Sequence, residues 1–118
     1  MTAYAVAHLR RVDQNAEIVE YLRRIDDTLD PFGGRFTVHG TLPEVLEGEW
    51  PGFLVVIAFP HPAAARAWYD SPAYREILPL RTRNSDGATV LVDGVSEGYR
   101  AARYAEKLAS PPGAPVSS

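Results

Sequence analysis

The sequence predicts an α+β domain, a four-stranded antiparallel sheet with two helices on one of its faces, in the order β-α-β-β-α-β. Three observations lead there. Residues 3–9, 35–39, 53–59 and 88–93 carry strand patterns. Apolar residues at helical spacing separate the first pair of these segments and again the last pair. The middle pair is joined through Gly48-Glu49-Trp50-Pro51-Gly52, which is dense in turn formers.

Each element has its own justification. In the first strand Ala5, Ala7 and Leu9 alternate with Tyr4, Val6 and His8. From about Asp13 the period changes, and Ile18, Leu22, Ile25 and Leu29 form one helical stripe. Asp13 or Asn15 can cap its start, and Glu20 with Arg24 makes an i,i+4 pair on the wet side. Pro31 and Gly33-Gly34 end the helix. Arg35-Phe36-Thr37-Val38-His39 is the second strand, followed by an arm around Glu44 to Glu47 that reads as solvated rather than as an acid–base pair. In the third strand, Phe53 to Phe59, both alternating sets are apolar, so both faces of the sheet need cover. His61 sits between two prolines at the start of the second helix and reads as surface punctuation, with Pro62 in the first turn. Asp70-Ser71-Pro72 breaks that helix and recaps a second piece, in which Tyr74, Ile77, Leu78 and Arg81 share a face and Pro79 limits regularity. Thr82 to Gly87 reads as a polar loop before the last strand, Ala88 to Asp93.

This order is the ferredoxin-like arrangement. Two helices cover only one face of the sheet, so the simplest partner for the other is a second copy related by a two-fold axis. Residues 1–94 are expected to form the domain, 95–108 a helical extension with Ala101, Tyr104, Ala105 and Leu108 on one side, and 109–118 a flexible Pro-, Gly- and Ser-rich tail.

Composition narrows the function. At 118 residues, 46% hydrophobic and 23% charged, the chain has material for one domain. Twelve basic against fifteen acidic residues give a net charge of −3, so no basic field invites nucleic acid. No segment is long and apolar enough to span a membrane, and the N-terminus lacks the basic start of a signal peptide, which makes the cytoplasm the expected place. Cysteine is absent, removing thiolate chemistry and zinc–thiolate sites. The histidines lack metal-ligand spacing, and no phosphate loop, nucleophile elbow or dinucleotide fingerprint occurs, so neither a metal nor a cofactor is expected.

Three runs, Pro31-Phe32-Gly33-Gly34-Arg35-Phe36, Glu44 to Pro51, and Ala64-Ala65-Arg66-Ala67-Trp68-Tyr69-Asp70-Ser71-Pro72-Ala73-Tyr74, resemble in order and spacing the domain of unknown function 1330 family, small bacterial proteins of the dimeric α+β barrel superfamily. The resemblance covers roughly residues 1–94. It implies a ferredoxin-like subunit whose sheet packs on that of its mate, with a pocket between helices and sheet. The superfamily includes cofactor-independent monooxygenases, haem-degrading enzymes, muconolactone isomerase-like and polyketide cyclase-like proteins, while this family carries no agreed activity, and fold does not imply function. Two departures stand out. The helix and tail after Gly94 are additional, and His39 stands at a strand position where relatives more often carry Arg.

The candidate chemistry centres on His39. Arg35, Thr37 and His39 share one side of their strand, as Tyr4, Val6 and His8 share one side of theirs. Were both sets to meet in one cavity, they would assemble an imidazole pair, a phenol and a guanidinium able to hold a carboxylate or enolate and move a proton. His39 would then be general acid or base, Tyr4 or Tyr69 a hydrogen-bond donor, and Arg35 the partner of a developing anion. The plainer alternative is that His8 and His39 are hydrogen-bonded strand residues near the barrel rim. His8, Phe36, Trp68, Tyr69 and Tyr74 are the candidate substrate contacts, since aromatics of this kind stack on planar ligands. Composition favours Trp68 as core and Tyr69 and Tyr74 as plugs of the helix junction. Asp70 is first a cap candidate, and Arg81 and Arg83 are solvated side chains able to close over an anion.

The expected function is therefore a homodimeric, cofactor-independent small-molecule enzyme of isomerase, cyclase or oxygenase type. Its substrate would be an organic acid, enol or aromatic metabolite. The alternative is a non-catalytic small-molecule-binding or stress-related homodimer, and a third reading makes the C-terminal helix a contact for another protein. Eleven arginines against one lysine suggest a GC-rich bacterial genome and a biosynthetic or catabolic setting.

Overall fold

A computed structural model describes residues 1–109. In chain order it contains β1 (Ala3–Val12), α1 (Ala16–Leu29), a 3-10 turn (Asp30–Phe32), β2 (Arg35–Val38), β3 (Phe53–Phe59), α2 (Pro62–Asp70), α3 (Pro72–Thr82), β4 (Ser85–Asp93) and α4 (Ala101–Leu108). The strands form one antiparallel sheet in the order β2-β3-β1-β4, the ferredoxin-like arrangement.

Local chemistry sets the boundaries. Asn15 caps α1 by accepting from the Ile18 N–H at 3.1 Å. The chain leaves that helix through Gly33, whose φ of 69° suits a residue without a Cβ. His61 is more than punctuation: its Nδ1 accepts from the Ala64 N–H at 3.1 Å and caps α2. Ser71 divides α2 from α3, its Oγ donating to the Trp68 carbonyl (2.7 Å) and accepting from the Tyr74 N–H (3.3 Å). Arg24 meets Glu76 of α3 at 3.2 Å, an inter-helix pair in place of the expected contact with Glu20.

The segment read as a polar loop before the last strand is partly strand. Ser85, Asp86 and Gly87 pair with Val12, Arg11 and Leu9 of β1. An edge strand tolerates polar residues, and the Arg10–Asp86 ion pair at 3.1 Å spans the junction. A Cβ on Gly87 would lie 2.1 Å from the His8 carbonyl oxygen, so glycine is what lets the strands approach. Asn84, also in this segment, is buried: its amide donates to Leu80 O (2.7 Å) and Glu17 Oε1 (3.0 Å), and its Oδ1 accepts from Asn15 Nδ2 (2.7 Å). α4 begins at Ala101, later than the extension's expected start, and all its residues are exposed. Of the tail expected over 109–118, only Ala109 lies within the described residues.

The core lies between the sheet and α1–α3. Ala3, Ala5, Ile57 and Phe59 face Ile25, Leu29, Trp68 and Ile77. The opposite face has no helix, and its pairings place Val38, Val56, Val6 and Val90 in one row across all four strands.

Candidate functional site

Between the helix-covered face of the sheet and α1 lies a cavity of about 200 Å³. Its floor is Ala5, Ala7, Leu9, Val55 and Ile57, small or aliphatic residues whose alternation along β1 and β3 points them inward. Ile18, Tyr21, Leu22 and Ile25 of α1 form the roof. Three alanines on β1 (Ala3, Ala5, Ala7) keep that strand's inner surface shallow, leaving space that larger side chains would fill.

Polar groups enter from two flanks. His39 and Phe36 come from the β2 side, their rings 4.6 Å apart, and His39 is exposed at the cavity's border. Arg81, in the last turn of α3 and therefore toward the β4 side, contributes its guanidinium. Trp68 and Tyr74, each 2% exposed, close the wall between helices and sheet. Their rings lie 4.1 Å apart, and the Trp68 indole N–H donates to Thr28 Oγ1 at 3.0 Å.

Arg81, Tyr74 and Tyr21 form a network. The two phenol oxygens are 2.9 Å apart, Arg81 donates to Tyr74 Oη at 3.4 Å, and its guanidinium carbon stands 5.9 Å from the centre of the Tyr21 ring. Burial, helped by neighbouring Tyr74, pushes the Tyr21 hydroxyl well above its ordinary pKa, against an opposing pull from Arg81. Tyr21 is thus a neutral hydrogen-bonding group at physiological pH and not a proton acceptor. Burial alone would lower the Arg81 pKa, but the two phenols outweigh it and the net shift is upward. Among the described residues no group of three His, Asp or Glu side chains converges to hold a metal ion.

A family model described as a domain of unknown function, DUF1330, matches residues 2–95. The chain belongs to the DUF1330 family. No curated protein matches it in sequence. Solved structures similar to this DUF1330 chain include RPA0582, a protein of unknown function from Rhodopseudomonas palustris. That match has 16% identity, covers 80% of this chain and 83% of the other, and has a TM-score of 0.60. A dimeric ferredoxin-like protein of unknown function from Jannaschia sp. CCS1 has 17% identity, coverage of 81% and 100%, and a TM-score of 0.57. SnoaB, a cofactor-independent oxygenase from Streptomyces nogalater, has 14% identity, coverage of 84% and 96%, and a TM-score of 0.51. At these identities the likeness is one of fold.

The structure separates the residues that the sequence grouped around His39. β2 pairs in register at Arg35–Ala58 and Phe36–Ile57, then shifts so that Val38 meets Val56. The shift breaks the alternation that would have put Arg35, Thr37 and His39 on one side. Arg35 stands with Ala58, Tyr4 and Val92 in a row on the bare face, away from the cavity that His39 borders. His8 is on that bare face too, stacked on Trp50 at 4.0 Å with its Nε2 2.7 Å from the Pro51 carbonyl oxygen. Phe36, Trp68 and Tyr74 line the cavity, whereas Tyr69 lies outside its lining with the Arg75 guanidinium 4.6 Å from its ring centre. Asp70 accepts from Arg66 (2.9 Å) and Arg75 (3.2 Å) on the surface. Arg83 is tied to Glu17, while Arg81, expected in solvent, turns inward.

The spacing of Arg81 on one helical face with Tyr74 and Ile77 is the signal for its inward position, since a residue seven beyond a buried tyrosine lies on the same side of a helix. Tyr21 has a weaker signal, because the apolar stripe of α1 runs through its neighbour Leu22, which is the more exposed of the two.

Proposed function

We propose that the protein is a homodimeric, cofactor-independent enzyme acting on a small organic acid, enol or aromatic metabolite in bacterial cytoplasmic metabolism. Residues 1–94 form the working unit and 95–108 an extension. The observation that carries this reading is the apolar cavity of about 200 Å³ with the His39 imidazole on its border. That volume lies below the ~300–1,000 Å³ of pockets for drug-sized ligands, which suits a small metabolite. His39 brings an imidazole to the cavity, the side-chain type most often used as general base or acid at a substrate carbon or oxygen. Phe36 supplies a ring 4.6 Å from it, and Trp68 and Tyr74 add flat apolar surface elsewhere in the lining.

Dimerisation through the bare sheet face would bury the valine row and bring Tyr4, Arg35 and His8 between two sheets. Their contribution is then to the interface or to a site completed by the partner. The bacterial relatives in fold, one described as dimeric and one as a cofactor-independent oxygenase, support this reading by analogy.

A second reading, a non-catalytic binding dimer, is favoured by one observation: Tyr4 and Arg35 are on the face opposite His39, which leaves that imidazole without the two helpers assigned to it. Incubating the protein with a bacterial metabolite extract and following it by mass spectrometry separates the two. The enzyme reading expects time-dependent loss of one or more small acids, enols or aromatics, slowed at least 100-fold in His39→Gln. Compounds that co-purify with the protein but are never consumed, equally with both proteins, would overturn it in favour of the binder.

A further inference from the structure

Among the described residues the guanidinium of Arg81 has no carboxylate in ion-pair contact. Its side chain meets the hydroxyl of Tyr74 and the ring of Tyr21 instead. The carboxylates nearest in sequence, Glu76 and Asp86, are held by Arg24 and Arg10, and Glu17 of α1 is held by Arg83 and Asn84. A partly buried cation beside apolar walls is costly unless an anion completes it. The remaining lining of the cavity offers none: sheet floor and α1 roof are aliphatic or aromatic, with Gln14 and Thr89 as neutral polar groups.

We propose that Arg81, supported by Tyr74 and Tyr21, is the anion-binding pole of the cavity, and that the ligand is a small monoanion, a carboxylate or enolate, with an apolar body lying across the sheet toward His39. This rests on the reading of the cavity as a ligand site and narrows it to one orientation. The two poles enter from opposite flanks, since His39 follows β2 and Arg81 precedes β4 at the far edge of the sheet order. Three strand spacings separate those edges, on the order of 14 Å between backbones, and both residues line the cavity, His39 at its exposed border. The span therefore fits a body with its charge at one end and its reacting atom at the other. Tyr74 does two jobs here. Its hydroxyl fixes the guanidinium, and its ring, tilted against Trp68 at 4.1 Å, forms the wall along which a flat body would lie.

The test uses arylalkanoic acids from benzoate to naphthalene-1-acetate, each paired with its primary amide, titrated into the full-length protein by calorimetry and ligand-observed NMR. The expected result is that at least one acid binds tenfold or more tightly than its amide. Arg81→Met should erase that preference by weakening the acid far more than the amide, and Arg81→Lys should restore part of it. His39→Gln should keep it. Tyr74→Phe, which removes a hydroxyl and keeps the wall, should reduce the preference by several-fold and serves as the second variant if Arg81→Met does not fold. Acids and amides binding alike would overturn the anionic pole while leaving the cavity site standing. A preference that survives Arg81→Met would place the pole elsewhere and overturn the assignment. If neither acids nor amides bind, the cavity reading and this inference fall together.

Discussion

The two faces of the sheet are made by the same strands with similar apolar content, and they have different fates. On one, Ala3, Ala5, Ile57 and Phe59 are each at most 5% exposed beneath α1, α2 and α3. On the other, Val90 and Val92 remain 51% and 44% exposed in the single chain. Apolar content alone therefore does not determine burial; the number of helices available does, because one layer of helices seals one face of a sheet and leaves the second bare. The helix-covered face also differs in shape. Alanines on β1 leave a cavity there, whereas the bare face presents a continuous valine row suited to flat contact.

The largest effect is expected where the covered face is most tightly filled. Trp68→Ala removes an indole that contacts Phe59, Tyr69 and Tyr74 and donates to Thr28, and should cost about 3–5 kcal/mol in urea unfolding. A loss under about 1 kcal/mol would mean that the covered face is no better packed than the bare one. Next comes the bare face itself. Val90→Asp places a carboxylate in the middle of the proposed interface and should weaken self-association on the order of 100-fold by sedimentation, the consequence of roughly 3 kcal/mol for a desolvated, unpaired charge. A native protein that sediments as a monomer, with Val90→Asp unchanged, would break the comparison, because the bare face would then simply be wet.

The contrast between the faces explains what the sequence made legible. Strand alternation and helical stripes depend on residue spacing alone, so the order of elements, the ferredoxin-like topology and the surplus apolar face in β3 could be read directly. The grouping around His39 could not. It relied on strict alternation through β2, and a single register shift between Phe36 and Val38 placed Arg35 on one face and His39 on the other side. The buried Asn84 hub was also hidden, because Thr82 to Gly87 has the composition of a loop. Its burial comes with tertiary partners, Glu17 and Asn15, that no local pattern announces. Arg81 was placed on the correct helical side but assigned to solvent, since arginine is ordinarily exposed and only the packing of α1 on α3 turned it inward.

A smaller effect sharpens the account of the covered face. Tyr21→Phe deletes one member of the hydroxyl pair with Tyr74 while preserving the ring. It should destabilise the protein by about 1 kcal/mol, the usual net worth of an intramolecular hydrogen bond. Chemical denaturation of the single and double Phe variants at positions 21 and 74 would read the coupling between the hydroxyls. An additive double variant would mean that the two oxygens do not support one another, and that Arg81 alone orders the network.

The smallest effect belongs to the polar clasp at the margin of that face. Arg83, first through its hydrogen bond, and then Asn84 hold the Glu17 carboxyl below its ordinary pKa. A depressed folded value means that the contribution is present above the unfolded pKa and is lost as the pH falls through the folded one. Glu17→Gln should therefore differ from the native protein slightly at neutral pH and converge with it in acid, with the neutral-pH difference shrinking further at high salt because Glu17 and Arg83 are both solvent-exposed. Melting temperatures measured from neutral pH down through the carboxylate range would show this convergence. A gap that widened in acid would reverse the sign and assign the main role of this seam to Asn84, whose hydrogen bonds to Leu80 and Asn15 do not require a charged Glu17. Either way the seam orients the end of α3, and with it the turn that carries Arg81. The covered face thus depends on packing for its stability and on its polar margin for the direction in which Arg81 points.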